Sequence, residues 1–233
     1  MKIDDPAAVA RQYATETNLE ARRSLYEDAE GPDPRELAFD AVAEARPRRI
    51  LEVGGGPGEL AARFGDELDA EVTMLDISAR MVELARGRGV DARVGDVQEL
   101  PFENGVFDCA VAAWMLFHVP DLDRGLSELA RVLRPGGRLV AVTNAEHHLQ
   151  ELRSLAGTAA WERVFTRENG AELIERHFAS VERRDADGWV TVADDATIRA
   201  FVDSLDAAEP VRLPPYELPL RSRRATSIFV ATR

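Results

Sequence analysis

Short apolar runs separated by amphipathic stretches organise this chain. Residues 49–53, 71–76, 91–94, 107–113 and 138–143 are apolar or β-branched and scarcely alternate, which is the pattern of strands buried on both faces. Helical spacing lies between them. Ser78 precedes Met81, Val82, Leu84 and Ala85 and is the N-cap candidate, with Gly87 and Gly89 ending the segment. Leu122, Leu126, Leu129 and Leu133 recur at i, i+4, i+7 and i+11, a stripe that faces a sheet. Strand and helix in alternation predict an α/β fold with a parallel sheet and helices on both faces.

The flanks are less regular. Residues 6–45 read as mainly helical, interrupted at Gly31-Pro32-Asp33-Pro34 and resumed over Arg35–Ala45. Beyond 143, helical patterns appear near Leu149–Leu155 and Arg167–His177, strand character over 178–192, a helix near 195–205 and a last strand at 225–231. Pro210, Pro214, Pro215 and Pro219 make 210–219 an irregular connection, because proline cannot donate to a ladder. Arg221-Ser222-Arg223-Arg224 reads as a solvated turn before the last strand.

Composition narrows the function classes. At 233 residues the chain fits one large domain. A net charge of −13 repels a phosphate backbone, so nucleic acid is an unexpected partner, and no apolar run reaches membrane-spanning length. The polar, acidic start, Met1 to Pro6, is no signal peptide, and the single Cys109 excludes an internal disulfide, so the expected setting is cytoplasmic. Cys109 lies in an apolar strand and reads as core packing. Lys2 is the only lysine, a sign of arginine-biased composition.

The chemistry concentrates at residues 50–61. Ile50, Leu51 and Val53 form a strand that runs into Gly54, Gly56 and Gly58, where a backbone can touch a ligand and a helix begins. Asp76 ends the next strand about 20 residues later, the spacing at which such folds hold ribose hydroxyls. These features point to a nucleoside-bearing cofactor. A dinucleotide fingerprint fits only when the loop is read from Gly56 through Gly58 to Ala61; read from the strand end, the pattern is Glu-x-Gly-x-Gly-x-Gly over Glu52 to Gly58.

That pattern resembles motif I of the class I S-adenosylmethionine (SAM) dependent methyltransferases of the small-molecule, UbiE/methyltransferase-11-like type. Gly95-Asp96-Val97, Leu100-Pro101-Phe102 before Phe107-Asp108, and Leu133-Arg134-Pro135-Gly136-Gly137 follow in the family's order over roughly residues 48–143. The resemblance implies a Rossmann-like seven-stranded sheet in the order 3-2-1-4-5-7-6, with strand 7 antiparallel and an N-terminal helical lid. It implies one methyltransferase domain over 1–233: a lid at 1–46, a SAM-binding core at 47–145 and acceptor-side elements at 146–233. SAM is the implied cofactor, with S-adenosylhomocysteine as product.

By the same resemblance, Glu52 and the Gly54 backbone hold the methionine arm, Asp76 the ribose hydroxyls, and Ile77 the adenine face. Asp96 takes the adenine amino group, with turn capping as the alternative, and the Val97 N–H meets a ring nitrogen. Ala113 C=O is a candidate for the methionine ammonium, and Trp114 is either wall or core. Tyr13 and Arg22 resemble lid residues, with amphipathic packing as the alternative reading. Because SAM carries its own leaving group, a base is needed mainly for a hydroxyl acceptor. His148, after strand five, is the acceptor-side candidate; His118, in Leu116–Asp121, is the second, usually structural in that motif. No metal is expected, since no Cys/His/Asp cluster has ligand spacing.

The expected activity is methyl transfer to an O or N atom of a small organic molecule. The alternatives are an NAD(P)-dependent oxidoreductase, resting on the Gly56 match, and a non-catalytic SAM-binding regulator.

Overall fold

The computed structural model describes residues 24–157, 164–205 and 211–233. The unbroken apolar runs do form strands: β1 (Arg49–Val53), β2 (Glu71–Asp76), β3 (Asp91–Val94) and β4 (Phe107–Ala113). With β5 (Leu133–Asn144), β6 (Ser180–Val192) and β7 (Leu220–Thr232) they make one sheet in the order β3-β2-β1-β4-β5-β7-β6. The first five strands are parallel; β7 runs antiparallel to both β5 and β6. This is the expected fold, including strand order and the direction of strand 7.

Helices cover both faces. α1 (Pro34–Ala43) starts at Asp33, whose carboxylate accepts the Arg35 N–H, and buries Ala38, Phe39 and Val42. Phe39 stacks on Phe64 of α2 (Glu59–Leu68), so the resumed helix of the N-terminal segment lies on the sheet. α3 (Ala79–Gly87) is capped by Ser78, whose hydroxyl accepts the Met81 N–H. α4 (Leu122–Val132) buries Leu126 and Leu129 of the leucine stripe in the core, with Leu122 partly buried and Leu133 already in β5. α5 (Gln150–Leu155), α6 (Gly170–Glu175) and α7 (Asp195–Asp203) follow in the second half.

Two expectations change in that half. Strand five begins at Leu133, paired with Phe107, before a register shift carries the ladder to Arg138 opposite Cys109. The last strand begins at Leu220, so Arg221 to Arg224 lie in β7 and form no solvated turn. Arg224 is buried because its guanidinium donates to the carbonyls of Glu30 and Pro32, partners nearly two hundred residues away in the chain.

The β6–β7 hairpin extends past the point where β7 leaves β5, at Asn144 opposite Thr226. Its projecting part, from Asp187–Ala225 to Val192–Leu220, shelters a separate apolar cluster of Leu25, Leu149, Leu152, Val190, Ile198 and Phe201. The main sheet carries its own clusters on its two faces.

Cys109 sits in β4 with no solvent exposure, and burial pushes its thiol up to about 12. It is therefore expected to resist a thiol-specific reagent in the native protein and to react at once after unfolding in denaturant. Rapid native labelling would contradict its place in the core.

Candidate active site

The site is built where β1, β2 and β4 end. β1 delivers Glu52 and then the loop Gly54–Gly58, which turns into α2. The Gly54 N–H donates to Leu75 C=O at 2.7 Å, and the Gly58 N–H to Gly55 C=O at 3.1 Å. The glycines divide the labour. A Cβ on Gly54 would lie 2.6 Å from Met115 Cβ, and one on Gly58 2.6 Å from Ala85 Cβ, so both permit close packing. A Cβ on Gly56, at φ 58°, would meet nothing within 4 Å among the described residues, which leaves its face available to a ligand there. In the first turn of α2, the Ala61 N–H donates to Glu52.

Asp76 closes the other side. It is buried at the end of β2, its carboxylate accepting the Gly56 N–H at 2.9 Å and the Ser78 N–H at 2.8 Å. Burial raises its pKa against the pull of those two donors. A carboxylate has about four acceptor positions, so two remain for a vicinal diol. Ile77 beside it is 48% exposed, an apolar shelf next to the buried carboxylate.

Glu52 is the most unusual group of the site. It is 2% exposed, takes a hydrogen bond from the Ala61 backbone, and leaves Oε2 without a partner among the described residues. Burial, aided by the like charge of Asp76, pushes its carboxyl up to about 8.

The third wall is the loop after β3. Asp96 accepts the Gln98 N–H at 2.9 Å and the Gln98 side-chain amide through both oxygens, while Gln98 Oε1 accepts the Asp121 N–H. Asp96 thus closes an Asx turn, and its neighbour Val97 is buried. Arg131 of α4 stakes the rest of the loop, donating to the carbonyls of Leu100 and Phe102 and to Glu128, which accepts the Leu100 N–H. The ties of Gln98 to the Asp121 backbone, and of Glu128 and Arg131 to the backbone of Leu100 and Phe102, span 23 to 31 residues, so no local reading of the sequence shows them.

β4 ends at half-buried Ala113, opposite Val142. Trp114 then takes φ 54°, a left-handed value uncommon for a side-chain-bearing residue, and its Nε1 donates to Asn144 Oδ1 at 3.3 Å. Asn144 Oδ1 also accepts the Thr226 hydroxyl. Trp114 is therefore tied to β5 and β7 while bordering both main clusters. Met115, unnoticed in sequence, covers Gly54.

The histidines stand apart. His118 is half-buried in a 3-10 turn, Leu116–His118, with its ring 4.5 Å from that of Phe117. His148 is 5% exposed; Nδ1 lies 3.0 Å from the Ala225 N and Nε2 3.0 Å from the Tyr26 hydroxyl. Tyr26 is a partner that 122 residues of separation hide from any local reading. His177 pairs with Asp123 of α4. Tyr13 and Arg22, expected in the lid, lie outside the described residues.

An orphaned buried carboxylate oxygen, an open glycine face, a diol-ready aspartate and an apolar shelf fit the amino-acid arm, backbone contact, ribose and adenine of SAM. Together with the strand order they match what a class I methyltransferase site would require. Residues 51–141 match a family profile described as a methyltransferase domain. Over that stretch the chain is similar to SAM-dependent methyltransferase domains, which favours that reading of the loop over the dinucleotide one.

Among curated relatives, the ubiquinone/menaquinone biosynthesis C-methyltransferase UbiE of Vibrio cholerae is 35% identical over 125 residues, 49% of this chain and 48% of that protein. The match thus spans about half the length of the curated relatives. Among solved structures, Haemonchus contortus phospholethanolamine N-methyltransferase 2, in complex with phosphomonomethylethanolamine and S-adenosylhomocysteine, covers all of this chain and 60% of that one at TM-score 0.67 and 16% identity. The [4+2]-cyclase SpnF shares the fold at TM-score 0.61 and 22% identity, over 97% of this chain and 95% of that one.

Proposed function

We propose that the chain transfers the methyl group of SAM to an O or N atom of a small organic molecule. The observation that carries this reading is the pairing of two buried acidic side chains, Glu52 and Asp76, around the open face of Gly56. SAM supplies a sulfonium-activated methyl group, so the protein has mainly to bind, align and dry the reactants. Glu52 and the Gly54 backbone would hold the methionine arm, with Ala113 C=O beside it. Asp76 would take the ribose hydroxyls, Ile77 the adenine face, and Asp96 with Val97 the adenine edge. Tyr13 and Arg22 would close the lid.

Residues 146–233 form the acceptor side in this proposal. For a hydroxyl acceptor His148 would be the base, with His118 second, and His148 would first have to release the contacts of its ring nitrogens with Ala225 and Tyr26. A second reading, methylation at carbon, draws support from the printed name of the Vibrio cholerae relative, a C-methyltransferase. The net charge of −13 disfavours nucleic acid as the acceptor. Among the described residues no helix is long and apolar enough to cross a membrane.

The test is methyl release from labelled SAM across a panel of phenols, amines and quinol-like carbon acids, with the product's methylated atom assigned by NMR. Turnover on none of them, with intact SAM binding, would favour the non-catalytic regulator. In the same assays Asp76→Ala is expected to weaken SAM about 10- to 100-fold, the loss of a charge-assisted hydrogen-bond pair worth about 1–3 kcal/mol. Calorimetric titration measures it, and an unchanged affinity would remove Asp76 from the ribose site.

A further inference from the structure

We propose that Glu52 awaits the cofactor as a neutral carboxylic acid and gives up its proton when the α-ammonium of the methionine arm arrives, so that cofactor capture expels a proton from the cleft. The inference rests on the SAM reading above. Its basis is the surroundings of one side chain. In register beside Glu52, β2 presents Met74 and β4 presents Val111, both apolar and both fully buried. α2 contributes a neutral donor, the Ala61 N–H, and a Cβ on Gly55 would stand 2.9 Å from Glu52 Cδ. Among the described residues, the charged group acting on Glu52 is Asp76 of β2, which has the same sign.

A carboxylate in that setting has one oxygen served and one, Oε2, without a partner among the described residues. Holding a negative charge there is costly, and keeping the proton is the cheaper state. The carboxyl is accordingly raised to about 8. A cation placed against Oε2 supplies what the protein leaves out and reverses the balance. The Glu52 O–H bond then breaks, its electron pair stays on the carboxylate as the ion pair with the ammonium forms, and the proton passes to buffer. Asp76, already served by two backbone N–H groups, faces the uncharged ribose and has no such exchange to make.

Calorimetric titration of the full chain with SAM, in two buffers of different ionisation enthalpy near pH 6.5, counts the proton directly; at about that pH the ligand's own α-ammonium stays charged. About one proton released per SAM bound is expected, with affinity rising about tenfold per pH unit from about pH 5.5 to 7. 5′-Methylthioadenosine, which has the nucleoside but no amino-acid arm, should bind without proton release. Glu52→Gln should bind SAM more weakly and release none. SAM binding without proton release would overturn the inference and leave the cofactor reading intact. An equal release with 5′-methylthioadenosine, or an unchanged release from Glu52→Gln, would overturn it as well, by tracing the proton elsewhere. Failure of the wild-type chain to bind either nucleoside would overturn the cofactor reading itself.

Discussion

Replacing Gly58 by alanine is expected to cost the fold about 2–5 kcal/mol, the sum of a left-handed backbone penalty and an overpacked contact. Gly58 holds φ 77° as the N-cap of α2, and a Cβ there would lie 2.6 Å from Ala85 Cβ and 3.0 Å from Ala85 Cα. A flexible neighbour could swing away, but Ala85 is a fully buried part of α3. The two helices must separate, and the loop that starts at Gly54 moves with them. Urea unfolding without cofactor measures the loss. Gly56→Ala provides the contrast. Its added methyl meets nothing, so stability falls only by the backbone penalty of about 1–2 kcal/mol, while SAM affinity suffers from the methyl placed on the open face. Equal losses of stability in the two variants would refute this division between a packing glycine and a contact glycine.

Glu52 sets the second large effect, a pH dependence of the cofactor-free protein that runs opposite to ordinary acid denaturation. Its carboxyl is raised from 4.5 to about 8 in the folded state. Between those limits the native chain keeps a proton that the unfolded chain has lost. The contribution of Glu52 to stability is therefore fully present below the unfolded value and disappears as pH rises through the folded one. Relative to Glu52→Gln, the wild type should lose about 1.4 kcal/mol per pH unit from about pH 5 to 7.5. Denaturant melts of both proteins across that range give the difference directly, since the remaining groups cancel. A difference that stays constant with pH would mean that Glu52 is ionised in the folded chain.

The cofactor half was legible because its physics is local. Strands buried on both faces show as unbroken apolar runs, and the loop from Gly54 to Gly58 shows its glycines beside the strand that needs them. β1 to β4 accordingly begin and end where their apolar runs do. The sequence could not separate the roles of the glycines, since whether a Cβ meets Met115, Ala85 or nothing depends on elements 27 or more residues away. Asp96 was readable as a turn former; the amide of Gln98 that clamps it was not. The outer half hid for a related reason. Arg221 to Arg224 look solvated by charge alone, yet β7 continues through them because the carbonyls of Glu30 and Pro32 solvate the buried Arg224 in place of water. His148 likewise stood out as a reactive type, while its partners Tyr26 and Ala225 came from opposite ends of the chain.

The overhanging hairpin of β6 and β7 gives this architecture a freedom that the nucleotide half lacks. Its apolar cluster shares no residue with those on the parallel strands, and the matched family segment, 51–141, stops before it begins. Substitutions in the overhang can therefore be accommodated, one side chain at a time, without repacking the parallel strands.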